Sequence, residues 1–261
     1  MLTIFSSLSG SNKTKCSTDL INGFDMLKFF LILVVFIFFN LAYVPFVNAS
    51  SNYEVKDFLS NREQTWPDWY LSDLQSSNTK NDLIYPSWFE GQWIITSENL
   101  KNNSEKKISY EVEFYQNELG QIIGNRSKNA ESIGKAIFGE RLKKVKTDPN
   151  SFNDQVTYLS NNEYIESRIK ERTQVFDDDL FFADEFVIQT VHNPEASRIN
   201  QVEVMSKFYR CKDSNLYNGD IKEICGLQFL ATYGSKVGEK NTKAISQSKY
   251  KLTFKYLGKK R

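Results

Sequence analysis

The sequence predicts a mainly β protein: an antiparallel up-and-down β-barrel with one short helix and an extended N-terminal leader. From residue 108 onward, apolar side chains recur at every second position, which is the period of strands with one buried face. Nine or ten such segments follow one another, separated mostly by short turns. Strands without intervening helices indicate an antiparallel meander. Closure into a barrel would remove the two exposed edges of so long a meander, and a flat or sandwich arrangement is the alternative.

Composition excludes several classes of function. The 261 residues carry a net charge of +1, whereas nucleic-acid-binding proteins carry a basic excess. One histidine and three cysteines exclude His-rich metal sites, zinc fingers and Cys-ligated iron–sulfur centres. The aromatic content of 14% and the charged content of 25% are typical of an ordered globular protein. We therefore expect no nucleic-acid partner, no metal and no cofactor.

Residues 26–49 are typical of an export signal. Residues 28–47 read KFFLILVVFIFFNLAYVPFV, a charge and then an apolar core, and Val47-Asn48-Ala49 is a small-x-small cleavage pattern. We interpret residues 26–49 as a signal peptide. An uncleaved anchor at 28–47, which would associate the protein with a membrane, is the alternative. Residues 1–25 are interpreted as an upstream extension produced by a wrong gene start, with a transit peptide as the alternative.

Export predicts an extracytoplasmic location, such as the periplasm, and a disulfide. Cleavage after Ala49 removes Cys16 and leaves Cys211 and Cys225. Two cysteines in an oxidising compartment are most simply a disulfide pair, and two free thiols are the alternative.

The remaining chain divides into an extended polar leader over 50–84 and a β-barrel domain over 85–261. The leader carries Trp66-Pro67-Asp68-Trp69, and its two tryptophans are predicted to lie on the domain surface. A helix is predicted over 129–139, with Asn129 as a candidate cap and Gly139 as the stop. Period-two patterns and turn residues predict strands at 108–114, 121–125, 141–146, 154–159, 164–175, 186–191, 199–210, 227–233 and 250–256.

The alternation also predicts which side chains face the barrel interior. A barrel of about eight strands can hold one small ligand. We expect the interior to be lined or filled by five aromatic residues, namely Tyr110, Phe114, Phe208, Phe229 and Phe254.

One motif resembles the opening of the lipocalin-like, or calycin, barrels. Gly91-Gln92-Trp93 is similar to their Gly-x-Trp, in which the glycine permits a tight turn into the first strand and the tryptophan closes one barrel end. In that superfamily an arginine from a late strand packs across the tryptophan. The resemblance implies that Arg210, on the Phe208 face of its strand, packs over Trp93.

A second resemblance covers most of the chain after residue 49. It is to an uncharacterised family of cyanobacteria and plastid-bearing eukaryotes, and it implies a periplasmic or thylakoid-lumenal setting but no reaction. The segments that carry it are Trp66–Trp69, Tyr85–Trp93, Gly124–Arg126 with Asn129–Gly134, and Phe208–Cys211.

Arg126 and Asn129 lie between a predicted strand and the predicted helix. There they could present a guanidinium and an amide to a ligand at the barrel mouth. Alternatively, Arg126 bridges a carboxylate and Asn129 caps the helix. With Trp93, Phe208 and Arg210, these two residues form the predicted ligand site.

No catalytic residue is predicted. His192 is the only imidazole, and without a Gly-x-Ser-x-Gly motif it is interpreted as a structural or surface residue. Asp177–Asp179, with Asp184 and Glu185 nearby, could bind calcium through carboxylate oxygens, but the EF-hand spacing is absent and a solvated acidic loop is favoured.

Three functions follow in order of preference. The first is an exported binding protein for a small apolar or amphipathic ligand, such as a lipid or pigment. The second is a non-enzymatic scaffold or assembly factor that docks another protein through Trp66 and Trp69. The third, an enzyme on a lipocalin-like barrel, is the least favoured because no acid–base pair stands out.

Overall fold

The computed structural model describes residues 49–71, 81–101, 107–211, 222–234 and 242–259. Its β-sheet belongs to a compact unit of residues 52–261. Residues 1–48 lie outside the described ranges. They include the predicted upstream extension and nearly all of the predicted signal peptide, as well as the alternative anchor at 28–47. Within the described ranges, no helix has both the length and the apolar character needed to cross a membrane.

Two α-helices and ten β-strands make up the described part of the chain. The helices are α1 (Ala49–Gln64) and α2 (Arg126–Phe138), and 3₁₀ turns cover Ser87–Phe89 and Gly139–Arg141. The strands are β1 (Gly91–Asn99), β2 (Ile108–Gln116), β3 (Ile122–Gly124), β4 (Leu142–Thr147), β5 (Asp154–Leu159), β6 (Tyr164–Phe176), β7 (Leu180–His192), β8 (Ser197–Arg210), β9 (Glu223–Tyr233) and β10 (Ser246–Gly258).

All ten strands form one antiparallel sheet that curls into a half-barrel. The spatial order is β3-β2-β1-β10-β9-β8-β7-β6-β5-β4. The mainly β class and the antiparallel meander predicted from sequence are therefore confirmed. The curl gives the sheet a concave inner face and a convex outer face.

Helix α2, rather than strand pairing, spans the opening of the half-barrel. The edge strands β3 and β4 do not pair with each other in the described part of the chain, and α2 connects them. On one side, Ser132 Oγ accepts a hydrogen bond from the backbone N–H of Glu111 at 3.0 Å. On the other side, a Cβ added at Gly134 would lie 3.2 Å from the Leu142 side chain. The helix thus covers the edges that a fully closed barrel would eliminate.

Helix α1 replaces the extended conformation that was predicted for the start of the leader. Val55, Phe58, Leu59 and Arg62 have the i, i+3, i+4, i+7 spacing of one helical face. Leu59 is fully buried, and Val55 and Phe58 pack around it. The short apolar stripe lies within a polar segment, which is why composition alone suggested an extended leader.

Two hydrophobic cores lie on the two faces of the sheet. The inner core, on the concave face, has the buried members Leu83, Trp88, Phe89, Trp93, Ile95, Val112, Phe114, Ile122, Phe181, Ala183, Phe208, Ile224, Leu252 and Phe254.

The outer core lies on the convex face, beneath α1. Its buried members are Leu59, Trp69, Val175, Phe182, Met205, Phe229, Ala231 and Tyr233. Phe229 was predicted to face the barrel interior, and this prediction is wrong. It pairs with Met205 in the β8–β9 ladder, and its ring contacts Trp66 and Trp69. Strand β9 is apolar on both faces because both faces are covered.

The disulfide predicted from sequence is confirmed. Cys211 at the end of β8 is bonded to Cys225 in β9, with Cα atoms 5.2 Å apart. The bond ties these two strands together, since Tyr209 is the ladder partner of Cys225.

Removing this disulfide is expected to lower the free energy of unfolding by about 3 kcal/mol, because the bond closes a short loop and restricts the unfolded chain. The double variant Cys211→Ser with Cys225→Ser, unfolded in urea, measures the loss. Treatment of the wild type with reductant should give the same midpoint as the double variant. Equal stability of oxidised and reduced protein would contradict the expectation.

Candidate functional site

A cavity of about 310 Å³ lies on the concave side of the sheet, next to α2. Four of the five aromatic residues predicted to face inward, Tyr110, Phe114, Phe208 and Phe254, do line it. The 3₁₀ turn and the segment before it add Tyr85 and Phe89, and β7 adds Phe181. Aromatic residues therefore make up half of the apolar lining, and aliphatic residues make up the rest.

The wall changes from apolar to charged along β7 and β8. Phe181 is paired with Phe208, Ala183 with Ser206, and Glu185 with Val204, and all six side chains face the cavity. Gln228 of β9 also lines the cavity, and its Nε2 donates to Ser206 Oγ at 3.2 Å. A molecule in this cavity would contact rings at one end and polar groups at the other.

Phe89 is the centre of the aromatic end. It is fully buried, and its ring lies within 6 Å of six other rings, those of Tyr85, Trp88, Phe114, Phe181, Phe208 and Phe254. Its carbonyl accepts a hydrogen bond from Trp93 Nε1 at 2.7 Å. These contacts hold the 3₁₀ turn against the concave face of the sheet.

The Gly91-Gln92-Trp93 motif has the local geometry expected of a tight turn into the first strand. Gly91 has φ +126°, and a Cβ there would lie 2.5 Å from the Tyr256 ring. Trp93 is buried in the inner core and contacts the rings of Phe254 and Tyr256.

Arg210 does not pack over Trp93, so that expectation is wrong. Its side chain is 40% exposed and forms an ion pair with Asp179 at 3.5 Å. Among the described cations that lie over aromatic rings, Arg210 is not present. Tyr256, which lies 5.0 Å from Trp93 between ring centroids, covers the tryptophan instead. Arg210 also lies outside the cavity wall.

Four charged side chains meet at the polar end of the cavity. Arg172, only 4% exposed, donates from Nε to Glu185 at 2.6 Å and from Nη1 to the Asn81 carbonyl at 2.6 Å. Asp82 lies between Arg172 and Arg126, with nitrogen–oxygen distances of 3.9 and 3.8 Å. Arg126 donates from Nη1 to the Ser151 carbonyl at 2.9 Å.

Burial shifts the pKa values of three side chains that line the cavity. Burial raises the pKa of Asp82 despite the attraction of Arg172 and Arg126, and burial lowers the pKa of Arg126. Burial also raises the pKa of Tyr110, in the cavity wall, to about 12. The Tyr110 hydroxyl therefore stays protonated and can donate a hydrogen bond near neutral pH.

Asn129 lines the cavity, but its amide is used for structure. Oδ1 accepts from the backbone N–H of Glu113 at 2.8 Å, and Nδ2 donates to the Glu113 carbonyl at 3.0 Å. The side chain therefore makes, at the edge of β2, the two backbone hydrogen bonds that a neighbouring strand would make. It is not the helix cap: Asn125 accepts from the Lys128 N–H and occupies that position.

The predicted docking tryptophans pack against their own chain. Trp69 is fully buried, its Nε1 donates to the Arg62 carbonyl at 2.7 Å, and its ring lies 4.7 Å from that of Trp66. Trp66 remains partly exposed. Docking of a protein partner through this pair stays a prediction, and only Trp66 offers a ring edge for it.

A buried polar cluster attaches α1 to the convex face. Arg62 Nε and Nη2 donate to the carboxylate of Glu203 at 3.0 and 2.6 Å, and the Tyr233 hydroxyl donates to the same carboxylate. Asp184, also fully buried, lies beside Glu203, and no donor among the described residues reaches its oxygens. An ionised carboxylate is costly to bury without a donor or a cation beside it. Burial, and then the charge of Glu203, raise the pKa of Asp184 well above its ordinary value, which favours its protonated form.

This cluster predicts a pH-dependent stability. The contribution of Asp184 is fully present below its ordinary pKa and is lost as the pH rises through its raised folded-state value. The groups around it are Glu203 on β8, Arg62 on α1, Tyr233 on β9 and Glu185 on β7. Asp184→Asn keeps the size and shape of the side chain and removes the carboxylate whose ionised form burial disfavours. It should exceed the wild type in stability by more than about 1 kcal/mol at neutral pH, and the gap should shrink in acid.

Urea unfolding of both proteins at several pH values tests this expectation. Asp178→Asn, on the exposed β6–β7 turn, is the matched control and should show no such gap. Parallel stability curves for Asp184→Asn and the wild type would show that Asp184 does not bind a proton on folding.

His192 and the acidic run have structural surroundings. His192 lies between Ser197 Oγ at 3.0 Å and Glu166 Oε2 at 3.2 Å, and its ring stacks on Tyr164. Asp177 Oδ1 accepts from the N–H groups of the β6–β7 turn, and Asp184 is on the buried convex side. Among the described residues, no group of His, Cys, Asp or Glu side chains could hold a metal ion.

Sequence reasoning missed Asp82, Arg172 and Glu185. Asp82 lies in the segment that was interpreted as a leader, and Arg172 and Glu185 are charged residues in alternating strands, which usually face water. The available signal was that each of the two strand residues shares a strand face with apolar residues. Phe176 lies on the Arg172 face of β6, and Ala183 lies on the Glu185 face of β7.

Comparison with protein families matches residues 97–257 to a family described as a domain of unknown function (DUF6816). The match covers more than half of the chain, so the chain belongs to this family. No curated protein and no solved structure matches the chain.

Proposed function

We propose that this member of the DUF6816 family is an exported, lipocalin-like binding protein for a small amphipathic molecule, such as a lipid or pigment. The observation that carries the proposal is the cavity of about 310 Å³ on the concave face. Ligand pockets in proteins have volumes of about 300–1,000 Å³, mostly apolar walls and a few polar groups that fix orientation. This cavity has the size and the composition of such a pocket.

The graded wall supports an amphipathic ligand rather than a purely apolar one. Phe181 and Phe208 offer apolar contact, whereas Glu185, Arg126 and Ser206 lie toward the polar end. Arg126 and Phe208 thus keep the ligand-binding role expected from sequence. Trp93 does not line the cavity, but its hydrogen bond to the Phe89 carbonyl helps to position Phe89, which does.

The proposed setting is extracytoplasmic: a periplasm or a thylakoid lumen. The Cys211–Cys225 disulfide supports it, because disulfides persist in oxidising compartments. The signal-peptide pattern of residues 26–49 and the resemblance to a cyanobacterial and plastid family point the same way.

A fluorescence titration with the uncharged dye N-phenyl-1-naphthylamine tests the binding function. We expect saturable binding of one dye per chain, with enhanced emission from the apolar cavity. Ala183→Leu places a larger side chain in the cavity wall and should weaken this binding at least tenfold. Ala183 is 3% exposed, so its replacement acts inside the molecule.

Ala196→Leu is the matched control, since it makes the same substitution on an exposed turn. It should bind the dye as the wild type does. Circular dichroism verifies that each variant is folded. Equal dye binding by folded Ala183→Leu and wild type would contradict the proposal.

A further inference from the structure

The charges at the polar end of the cavity cancel one another. Arg126 and Arg172 are cations, and Asp82 and Glu185 are anions, all within one network of ion pairs. Arg172 has a side chain only 5% exposed, and Asp82 only 15%. A ligand with a net charge would bring an uncompensated charge into a largely buried site, which is unfavourable.

The polar atoms that remain for a ligand are mainly donors. A guanidinium has five N–H groups, and Arg126 uses one for the Ser151 carbonyl, while its Nε lies 3.8 Å from Asp82. Ser206 Oγ accepts from Gln228, which leaves its own O–H to donate. Glu185 accepts from Arg172, Asp82 forms longer ion pairs with both arginines, and the Asn129 amide is used by the Glu113 backbone. A ligand that supplies an acceptor would therefore complement Arg126 and Ser206 at this end.

The apolar end of the cavity favours a ligand that contains rings. The side chains of Tyr85, Phe89, Phe114, Phe181, Phe208 and Phe254 pack mostly edge-to-face or tilted, so ring edges and faces both line the wall. Aromatic rings prefer such offset and edge-to-face partners. A planar ring system would complement this wall better than a flexible chain.

We propose that the ligand is an uncharged, ring-containing molecule whose carbonyl oxygen accepts a hydrogen bond from Arg126. This inference rests on the proposed binding function and specifies the chemistry of its ligand. Ketones, quinones and conjugated carbonyl pigments belong to this class, whereas fatty acids and other carboxylates do not.

Three probes with the same ring system test the inference. 2-Acetylnaphthalene is uncharged and has a carbonyl acceptor, 2-naphthoate is its charged near-isostere, and 2-ethylnaphthalene has no acceptor. Equilibrium dialysis at about pH 8, where the carboxylate probe is ionised, measures their affinities. We expect the ketone to bind at least tenfold more tightly than either of the other two.

Arg126→Met should abolish the advantage of the ketone over the hydrocarbon, because it removes the donor and keeps an apolar side chain. Arg210→Met is the matched control, since Arg210 is exposed and lies outside the cavity wall. It should leave the affinity order unchanged. The wild-type probe series tests the ligand class even if the Arg126 variant does not fold.

The outcomes separate the inference from the function on which it rests. Binding of none of the three probes would overturn the proposed function itself. Tightest binding of 2-naphthoate, or equal binding of ketone and hydrocarbon, would overturn the ligand class while leaving a binding cavity in place. A ketone preference that persists in folded Arg126→Met would overturn the role of Arg126.

Discussion

Replacement of Arg62 by methionine is expected to lower the free energy of unfolding by about 3–5 kcal/mol. Glu203 is 2% exposed, and its carboxylate accepts hydrogen bonds from Nε and Nη2 of Arg62. The variant therefore leaves a buried carboxylate without its cation. Arg62 also lies over the Trp69 ring, 4.3 Å from its centroid, and this contact would be lost. Urea unfolding measures the loss of stability, and limited proteolysis should show earlier cleavage within α1.

Lys56→Met on the same helix is the matched control. Its ion pair with Asp177 is 45% and 52% exposed at the two side chains, and exposed pairs contribute less than about 1 kcal/mol. Adding Glu203→Gln to Arg62→Met should recover part of the lost stability, because the uncompensated charge is removed. A loss for Arg62→Met no larger than that for Lys56→Met would contradict this description of the cluster.

Replacement of Phe89 by alanine is expected to cost about 3–5 kcal/mol. Phe89 is fully buried at the centre of the aromatic end, and the cavity left by its ring cannot collapse easily, because the sheet and the neighbouring rings surround it. The same change should enlarge the ligand cavity, which Phe89 lines. Thermal and urea unfolding measure the loss, and Phe89→Leu should be intermediate.

Leu119→Ala is the control for this substitution, since Leu119 is 81% exposed on the β2–β3 turn. It should change stability by less than about 0.5 kcal/mol. If Phe89→Ala unfolds at the same urea concentration as the wild type, the 3₁₀ turn does not anchor the inner core.

The fold class was predictable because strands with one covered face produce a clear alternation. Ile108 to Phe114 and Tyr250 to Tyr256 show this pattern, and both became strands. Alternation failed where both faces are covered. Phe181 faces the inner core and Phe182 faces the outer core, so this segment shows no alternation. The strand was therefore predicted to begin at residue 186, whereas β7 begins at Leu180. Strand β1 was also missed, because Ile94, which is only half-buried, interrupts the apolar alternation between Trp93 and Ile95.

The outer core could not be predicted without knowing that α1 covers the sheet. Phe229 has the spacing of an inward residue, and only the position of Trp66 and Trp69 decides which face it occupies. A local signal for α1 did exist in the spacing of Val55, Phe58 and Leu59. The polar composition around it concealed that signal.

The candidate site was predictable in part. Phe208 and Arg126 line the cavity as expected, because one lies on an inward strand face and the other at the start of the helix that spans the opening. The strand face of Arg172 could have been predicted, but its burial could not, since one of its partners, the Asn81 carbonyl, is 91 residues away in the chain. The prediction that Arg210 packs over Trp93 was wrong, because the resemblance to lipocalin-like barrels suggested a strand but not the direction of an exposed side chain at the end of that strand.

Mass spectrometry under non-denaturing conditions, on the protein purified from its native source, tests the central claim most directly. We expect a fraction of the protein to carry one small molecule. Organic solvent should release that molecule, and its measured mass should fit an uncharged ring compound with a carbonyl group. The Ala183→Leu variant, purified in the same way, should carry none. Recovery of the wild type only at the mass of its processed polypeptide, with no extractable molecule, would contradict a ligand-binding function.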